Sequence, residues 1–168
     1  MQPEIRRATV DDAEAGAWCH LLCWREAYDG LVEPGLLAER TSDIDRRLER
    51  WTIAVAEGRW WIAVNPDPEA AVEDRVVGIV SAGQGRDDDA PTPLELYAIY
   101  ARKAWWGTGL GGRLLEVAIG KEPASLWVLE GNDRARAFYR RHGFVEDGTR
   151  VDEPYFDVPE IRMVRRTA

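Results

Sequence analysis

The chain has 168 residues, with 22 Lys plus Arg against 30 Asp plus Glu and a formal net charge of -8. A chain of this length buries about 70% of its unfolded surface and needs no disulfide staples, and 45% hydrophobic with 31% charged residues excludes disordered and collagenous classes. The acidic balance argues against nucleic acid as a partner, and no apolar run approaches the ~18 residues that span a bilayer, so no membrane partner is expected. Without a basic-then-apolar leader in its first thirty residues, the chain is expected in the cytoplasm. Cys19 and Cys23, the only cysteines, stand four apart in a helical stretch. That spacing suits neither a disulfide framework nor zinc, so both read as small packing residues and no metal is expected.

In chain order, Glu4 to Thr9 alternates weakly and ends at Asp11 and Asp12, two good helix caps. A helix follows, with Ala17, Leu21, Trp24 and Tyr28 on one inward face. A break at Gly30 to Gly35 precedes a second helix over Asp43 to Ala56. Arg59 to Asn65 and Arg75 to Ala82 are β-branched or aromatic runs around a turn-rich segment, which predicts an antiparallel pair. An acidic loop, GRDDDAPTP, leads into a strand over Leu94 to Tyr100. Beyond a glycine cluster come a helix over Gly109 to Gly120, a strand over Ala124 to Leu129 and a helix over Asp133 to His142. Gly143 closes that helix, and Phe144 to Asp147 and Ile161 to Arg165 supply the last strands. The order predicts one α/β sheet domain over residues 1–168.

Charge is uneven along this order. Residues 99–142 carry eight bases against four acids, a local +4 in an acidic chain, which points to one anionic ligand held in one place. Within that segment Trp106 to Arg113 reads WGTGLGGR between a strand and a helix whose apolar residues are Leu110, Leu114, Leu115, Ala118 and Ile119. Glycines let a backbone approach a ligand closely, and the amides that open a helix point at an anion, so the natural guest is a phosphate or pyrophosphate. A P-loop fails, because Arg113 and Leu114 stand where lysine and a hydroxyl are needed. Gly107, Gly109 and Gly112 do match a dinucleotide fingerprint, with Glu130 about twenty residues on. Six residues separate the strand from the first glycine, however, and only 38 residues follow Glu130, too few for a doubly wound sheet.

A third template accounts for more of the chain. From Leu94 onward the sequence resembles the GNAT-family N-acetyltransferases: Gly109 and Gly111 occupy the two glycine positions of the loop motif. Leu126 to Phe144 (LWVLEGNDRARAFYRRHGF) matches the second block, with Asn132, Ala135, Phe138, Tyr139, Gly143 and Phe144 at the expected offsets. Trp106 departs from the family's usual Gln or Arg, which weakens a side-chain contact at a site built mainly of backbone amides.

The resemblance implies a single mixed, mostly antiparallel twisted sheet of six to seven strands flanked by helices, acetyl-CoA as co-substrate, and transfer of its acyl group to an amine of a small molecule or peptide by direct attack. A catalytically silent acyl-CoA-binding module is the alternative, and a homodimer is left open. The implied cofactor-binding residues are Gly107, Thr108, Gly109, Leu110, Gly111 and Gly112 for pyrophosphate, Ile99, Tyr100 and Ala101 for the peptide-like pantetheine arm, and Asn132, which can also cap its helix. Tyr139 is the expected acid that protonates the departing thiolate, with Phe138 assigned to the core. For the base, Glu95 is the first candidate, on the strand face of Tyr97 and Ile99, with Glu26 and Tyr28 behind it. His20 and His142 read as structural or solvent-facing, and Trp127 as core. Glu26, Asp29, Glu33, Asp152, Glu153 and Asp157 around Trp24, Tyr28, Tyr155 and Phe156 suggest an acidic, aromatic pocket for a cationic amine.

Overall fold

A computed structural model describes residues 1–166; Thr167 and Ala168, the end of the expected 1–168 domain, lie outside the described residues. The elements run β1 (Glu4–Arg7), α1 (Ala13–Tyr28), α2 (Pro34–Arg40), α3 (Ile44–Ala56), β2 (Trp60–Val64), α4 (Val72–Arg75), β3 (Val76–Gln84), β4 (Leu94–Ala101), α5 (Leu110–Ile119), β5 (Ala124–Leu129), α6 (Asp133–Arg141), β6 (Val145–Glu153) and β7 (Val158–Arg165). The seven strands form one sheet in the order β1-β2-β3-β4-β5-β7-β6, antiparallel except where β4 meets β5. No helix of the described residues is long and apolar enough to cross a membrane.

Four elements, in three places, differ from the sequence expectation. The expected break at Gly30 to Gly35 already contains the start of α2, which opens on Pro34 while the Glu33 carboxylate accepts the N–H groups of Gly35 and Leu36. The turn after β2 holds the short α4. The final hairpin is longer than Phe144 to Asp147 and Ile161 to Arg165: β6 reaches Glu153 and β7 begins at Val158. Strand β6 is an edge strand exposed along most of its length, so its sequence, VEDGTRVDE, has no apolar alternation to announce it.

Packing on the two faces of the sheet follows the pleat. Ala63, Val80, Leu96 and Leu126 meet Leu110, Leu114, Leu115 and Ile119 of α5 on one face. On the other, Ile62 and Ile79 meet Ala15, Ala17, Cys19 and Cys23 of α1 and Trp51 and Val55 of α3. Both thiols are buried, their sulfurs 3.9 Å apart, as packing residues. Helix α1 is lined with small residues because α3 lies close against it. A Cβ built on Gly16 would stand 2.4 Å from the Trp51 ring. Trp51 in turn donates its indole N–H to His20 Nδ1 at 3.2 Å, inside a cluster with Trp24, Trp60 and Tyr100. Burial, aided by Arg47 and Arg50, pushes the His20 pKa down to about 3, so this histidine is a neutral structural group rather than a solvent-facing one. Gly16→Ala is therefore expected to destabilise the fold by about 1–3 kcal/mol through overpacking, read as a lower urea midpoint at unchanged slope.

Candidate active site

The site begins with a break in pairing. Strands β4 and β5 pair only at Leu94 with Ala124 and Glu95 with Ser125, after which β4 continues with β3 to Ala101 and β5 with β7 to Leu129. A bulge helps to steer β4 away: Ala82 faces Leu96 and Ser81 faces Ala98, leaving Tyr97 without a counterpart. The parted strands leave a cavity of about 580 Å³ that reaches both faces of the sheet.

On the α5 side the cavity is lined by Gly107, Gly109, Gly111, Gly112, Asn132 and Tyr139. Gly109 is the N-cap of α5 with φ +88°, a conformation that suits glycine. The N–H groups of Gly109, Leu110, Gly111 and Gly112 find no backbone acceptor among the described residues, as expected for a first helical turn, and they are free to hold an anion. Leu110 can contribute only its backbone, since its side chain is buried in the core. Thr108 is exposed and donates its hydroxyl to the Trp105 carbonyl. Asn132 caps α6, its oxygen accepting the Ala135 N–H at 3.1 Å, and its amide NH2 has no partner among the described residues. The indole of Trp106 donates to the Ala101 carbonyl at 2.7 Å, so of the open edge over Ile99, Tyr100 and Ala101 that carbonyl is already in use.

The local +4 separates into paired and unpaired cations. Arg102 is bound to Glu26 and Asp74, and Arg136 and Arg140 to Glu146. Arg134 and Arg141 make no ion pair among the described residues, and both line the cavity beside His142. Arg134 lies 3.7 Å over the Trp106 ring. Trp106 thus holds a guanidinium beside the glycine loop, a contact that the sequence reading missed. Phe138, assigned to the core, is only half-buried and lies across Gly111, whereas Tyr139 is 8% exposed and packs on Phe138 and Phe144. The Tyr139 hydroxyl makes no hydrogen bond among the described residues. Burial pushes its pKa well up, Tyr100 adds to the shift and Arg134 opposes it, so it keeps its proton.

On the other face the lining comprises Tyr28, Arg86, Glu95, Trp127, Leu129 and Glu160. Tyr28 and Tyr100 share a hydroxyl hydrogen bond of 2.7 Å. Glu95 does not share a face with Ile99. Leu96 and Ile99 join the same apolar cluster under α5, which strict alternation would forbid, and the bulge at Tyr97 is the reason. Glu95 is 3% exposed, with Oε1 accepting Nε and Nη2 of Arg86 and Oε2 accepting the Arg86 N–H. Trp127, expected in the core, lines the cavity instead and donates to Asp87 at 3.0 Å. The acidic loop before β4 is a strap: Arg162, buried under it, binds Asp89 and Asp147.

The acidic, aromatic pocket expected for a cationic amine is not assembled. Glu26 is paired with Arg102 outside the cavity, Glu33 caps α2, and Glu153 accepts the N–H groups of Tyr155 and Phe156. The Trp24 and Tyr155 rings are already covered by Arg47 and Arg40, and Phe156 packs with Tyr28. The carboxylates that do line the cavity are Glu95 and Glu160.

Residues 23–144 match the model of the GNAT acetyltransferase family. The chain belongs to that family. It is 30% identical over 149 residues, 86% of this chain and 80% of the relative, to a probable N-acetyltransferase of Mycobacterium tuberculosis. Its fold is similar to the PaiA N-acetyltransferase of Thermoplasma acidophilum, solved with coenzyme A (TM-score 0.68, 17% identity, 99% of each chain). It is also similar to a GCN5-related N-acetyltransferase of Rhodopseudomonas palustris (TM-score 0.71, 16% identity, 98% of this chain and 96% of that one). This acetyltransferase therefore moves an acetyl group from acetyl-CoA, as the parted strands and free helix amides suit it to do.

Proposed function

We propose that the enzyme acetylates a primary amine of a small molecule or peptide that enters from the Tyr28 and Trp127 face, while acetyl-CoA lies on the α5 face with its reactive end between β4 and β5. The observation that carries this reading is the through-sheet cavity, with unpartnered amides at one mouth and carboxylates at the other. Acetyl-CoA supplies an activated thioester; the chain supplies position and protons. The amides of Gly109 to Gly112, with Gly107 and Thr108 shaping the turn, hold the pyrophosphate at the positive end of α5. The open edge over Ile99 to Ala101 and the free Asn132 amide hold the peptide-like arm. Tyr139 holds a proton at its hydroxyl for the leaving sulfur.

Arg134, held on Trp106, adds positive charge beside the glycine loop. Arg134→Ala is expected to weaken acetyl-CoA about 10-fold, the effect of one charge-assisted contact, with little change in kcat at saturating donor. Titration calorimetry with acetyl-CoA and NAD, followed by an amine panel, tests the whole reading. NAD binding more tightly than acetyl-CoA would overturn it, and an Arg134→Ala variant of unchanged affinity would remove that residue from the site.

A further inference from the structure

Alkyl amines are largely protonated near neutral pH, so an amine acceptor must lose a proton before it can attack, and a base must wait where the acceptor arrives. Glu95 and Glu160 are the carboxylates that line the cavity. Glu95 is tied to Arg86 through both oxygens, so its carboxylate is already engaged within the protein. Glu160 is different. It sits on β7 opposite Leu129 of β5 and Val151 of β6, on the cavity side of the sheet, half-buried, and its carboxylate has no hydrogen-bond or ion partner among the described residues. Carboxylates withdrawn from water in a folded protein are ordinarily paired, so one left free beside a substrate cavity calls for a reason.

We propose that Glu160, rather than Glu95, is the general base, placed by β7 at the acceptor mouth to take the ammonium proton; this rests on the reading that acetyl-CoA enters from the α5 face. The step is a proton transfer. One N–H bond of the ammonium breaks, an O–H bond forms on Glu160, the nitrogen lone pair is freed for attack, and the carboxylic acid returns its proton to solvent between turnovers. The groups around it tune it for this work. Burial raises the Glu160 pKa, Glu153 on β6 raises it further and Arg86 from the strap opposes them, leaving it at about 7. Tyr28 of α1 and Tyr100 of β4 complete its titratable surroundings together with Glu95, and burial keeps both hydroxyls protonated. A base with this pKa is matched to neutral amine chemistry.

The sign follows from linkage. The folded pKa lies above the ordinary value of 4.5, so the protonated form favours the fold and stability declines as pH rises from about 4.5 through 7. Glu160→Gln should therefore fold at least as well as wild type at pH 8, which keeps its kinetics interpretable.

The test uses the full chain with acetyl-CoA and a panel of spermidine, lysine methyl ester, ethanolamine and n-butylamine, comparing wild type, Glu160→Gln, Glu160→Asp and Glu95→Gln from pH 5 to 9. Wild-type kcat should rise along a limb centred near pH 7. Glu160→Gln should lose roughly 100-fold or more in kcat and the limb itself at unchanged acetyl-CoA affinity, with Glu160→Asp partly restoring both. Glu95→Gln should keep the limb whatever its rate. Carbon-13 NMR of glutamate-labelled protein gives a reading that needs no acceptor: one carboxyl, absent from Glu160→Gln, should titrate near pH 7. A limb that survives in Glu160→Gln, or a Glu160 carboxyl that titrates in the ordinary range, would overturn the proposal. Failure of the underlying reading would look different: acetyl-CoA would still bind, but Gly109→Val at the α5 mouth would leave its affinity unchanged.

Discussion

Gly109→Val is expected to abolish acetyl-CoA binding, with a loss of at least ~100-fold in affinity. Gly109 is the N-cap of α5 at φ +88°, and a Cβ there would meet no protein atom within 4 Å. The side chain would project instead into open space at the turn that opens α5, where the proposed pyrophosphate would approach the amides. Two charge-assisted hydrogen bonds at about 1.5–3 kcal/mol each account for a change of that size. A β-branched residue at positive φ also strains the backbone by about 1–3 kcal/mol, so the variant will melt earlier. Gly148→Val separates the two effects. Gly148 has φ +89° and equally open surroundings, but it lies in β6 away from the cavity. It should share the loss of stability and keep acetyl-CoA binding. Calorimetry on both variants decides the matter, and normal affinity in a folded Gly109→Val protein would place the phosphate site elsewhere.

Tyr139→Phe should lower kcat by ~10-fold or more while leaving the acetyl-CoA dissociation constant unchanged. The ring would keep its packing on Phe138 and Phe144, at 5.3 and 5.9 Å between centroids, and the lost hydroxyl leaves no protein partner unsatisfied among the described residues. A difference confined to kcat therefore reads as chemistry rather than folding. Because burial pushes the phenol well up, with Tyr100 adding to the effect and Arg134 opposing it, the hydroxyl stays protonated through the working range. Wild-type kcat should then show no falling alkaline limb below about pH 10. An unchanged kcat in Tyr139→Phe would return the residue to a packing role. A wild-type alkaline limb that the variant abolishes would show that the phenol titrates earlier than its burial implies.

The two ends of the site were unequally legible. Its cofactor side is local in sequence: the glycine loop, the first turn of α5 and the Asn132 cap each consist of neighbours within a few residues, and short-range rules of turn and helix geometry decide where their amides point. The order of elements therefore anticipated an α/β sheet and the glycine spacing a phosphate guest, while the acyl donor and the mixed sheet followed from the resemblance of the Gly109 to Gly111 and Asn132 to Phe144 motifs to the family. The proposed acceptor side is assembled from α1, the strap before β4, β5 and β7, which no spacing along the chain connects. There the bulge at Tyr97 moved Glu95 off the face of Ile99, and Arg86 closed on it. Arg162 tied down the acidic loop before β4. Glu160 lies in a strand whose start the sequence does not mark, and it matters only because β4 and β5 part in front of it. Which carboxylate is paired and which stays free depends on long-range packing and desolvation, and those are set only once the sheet has closed.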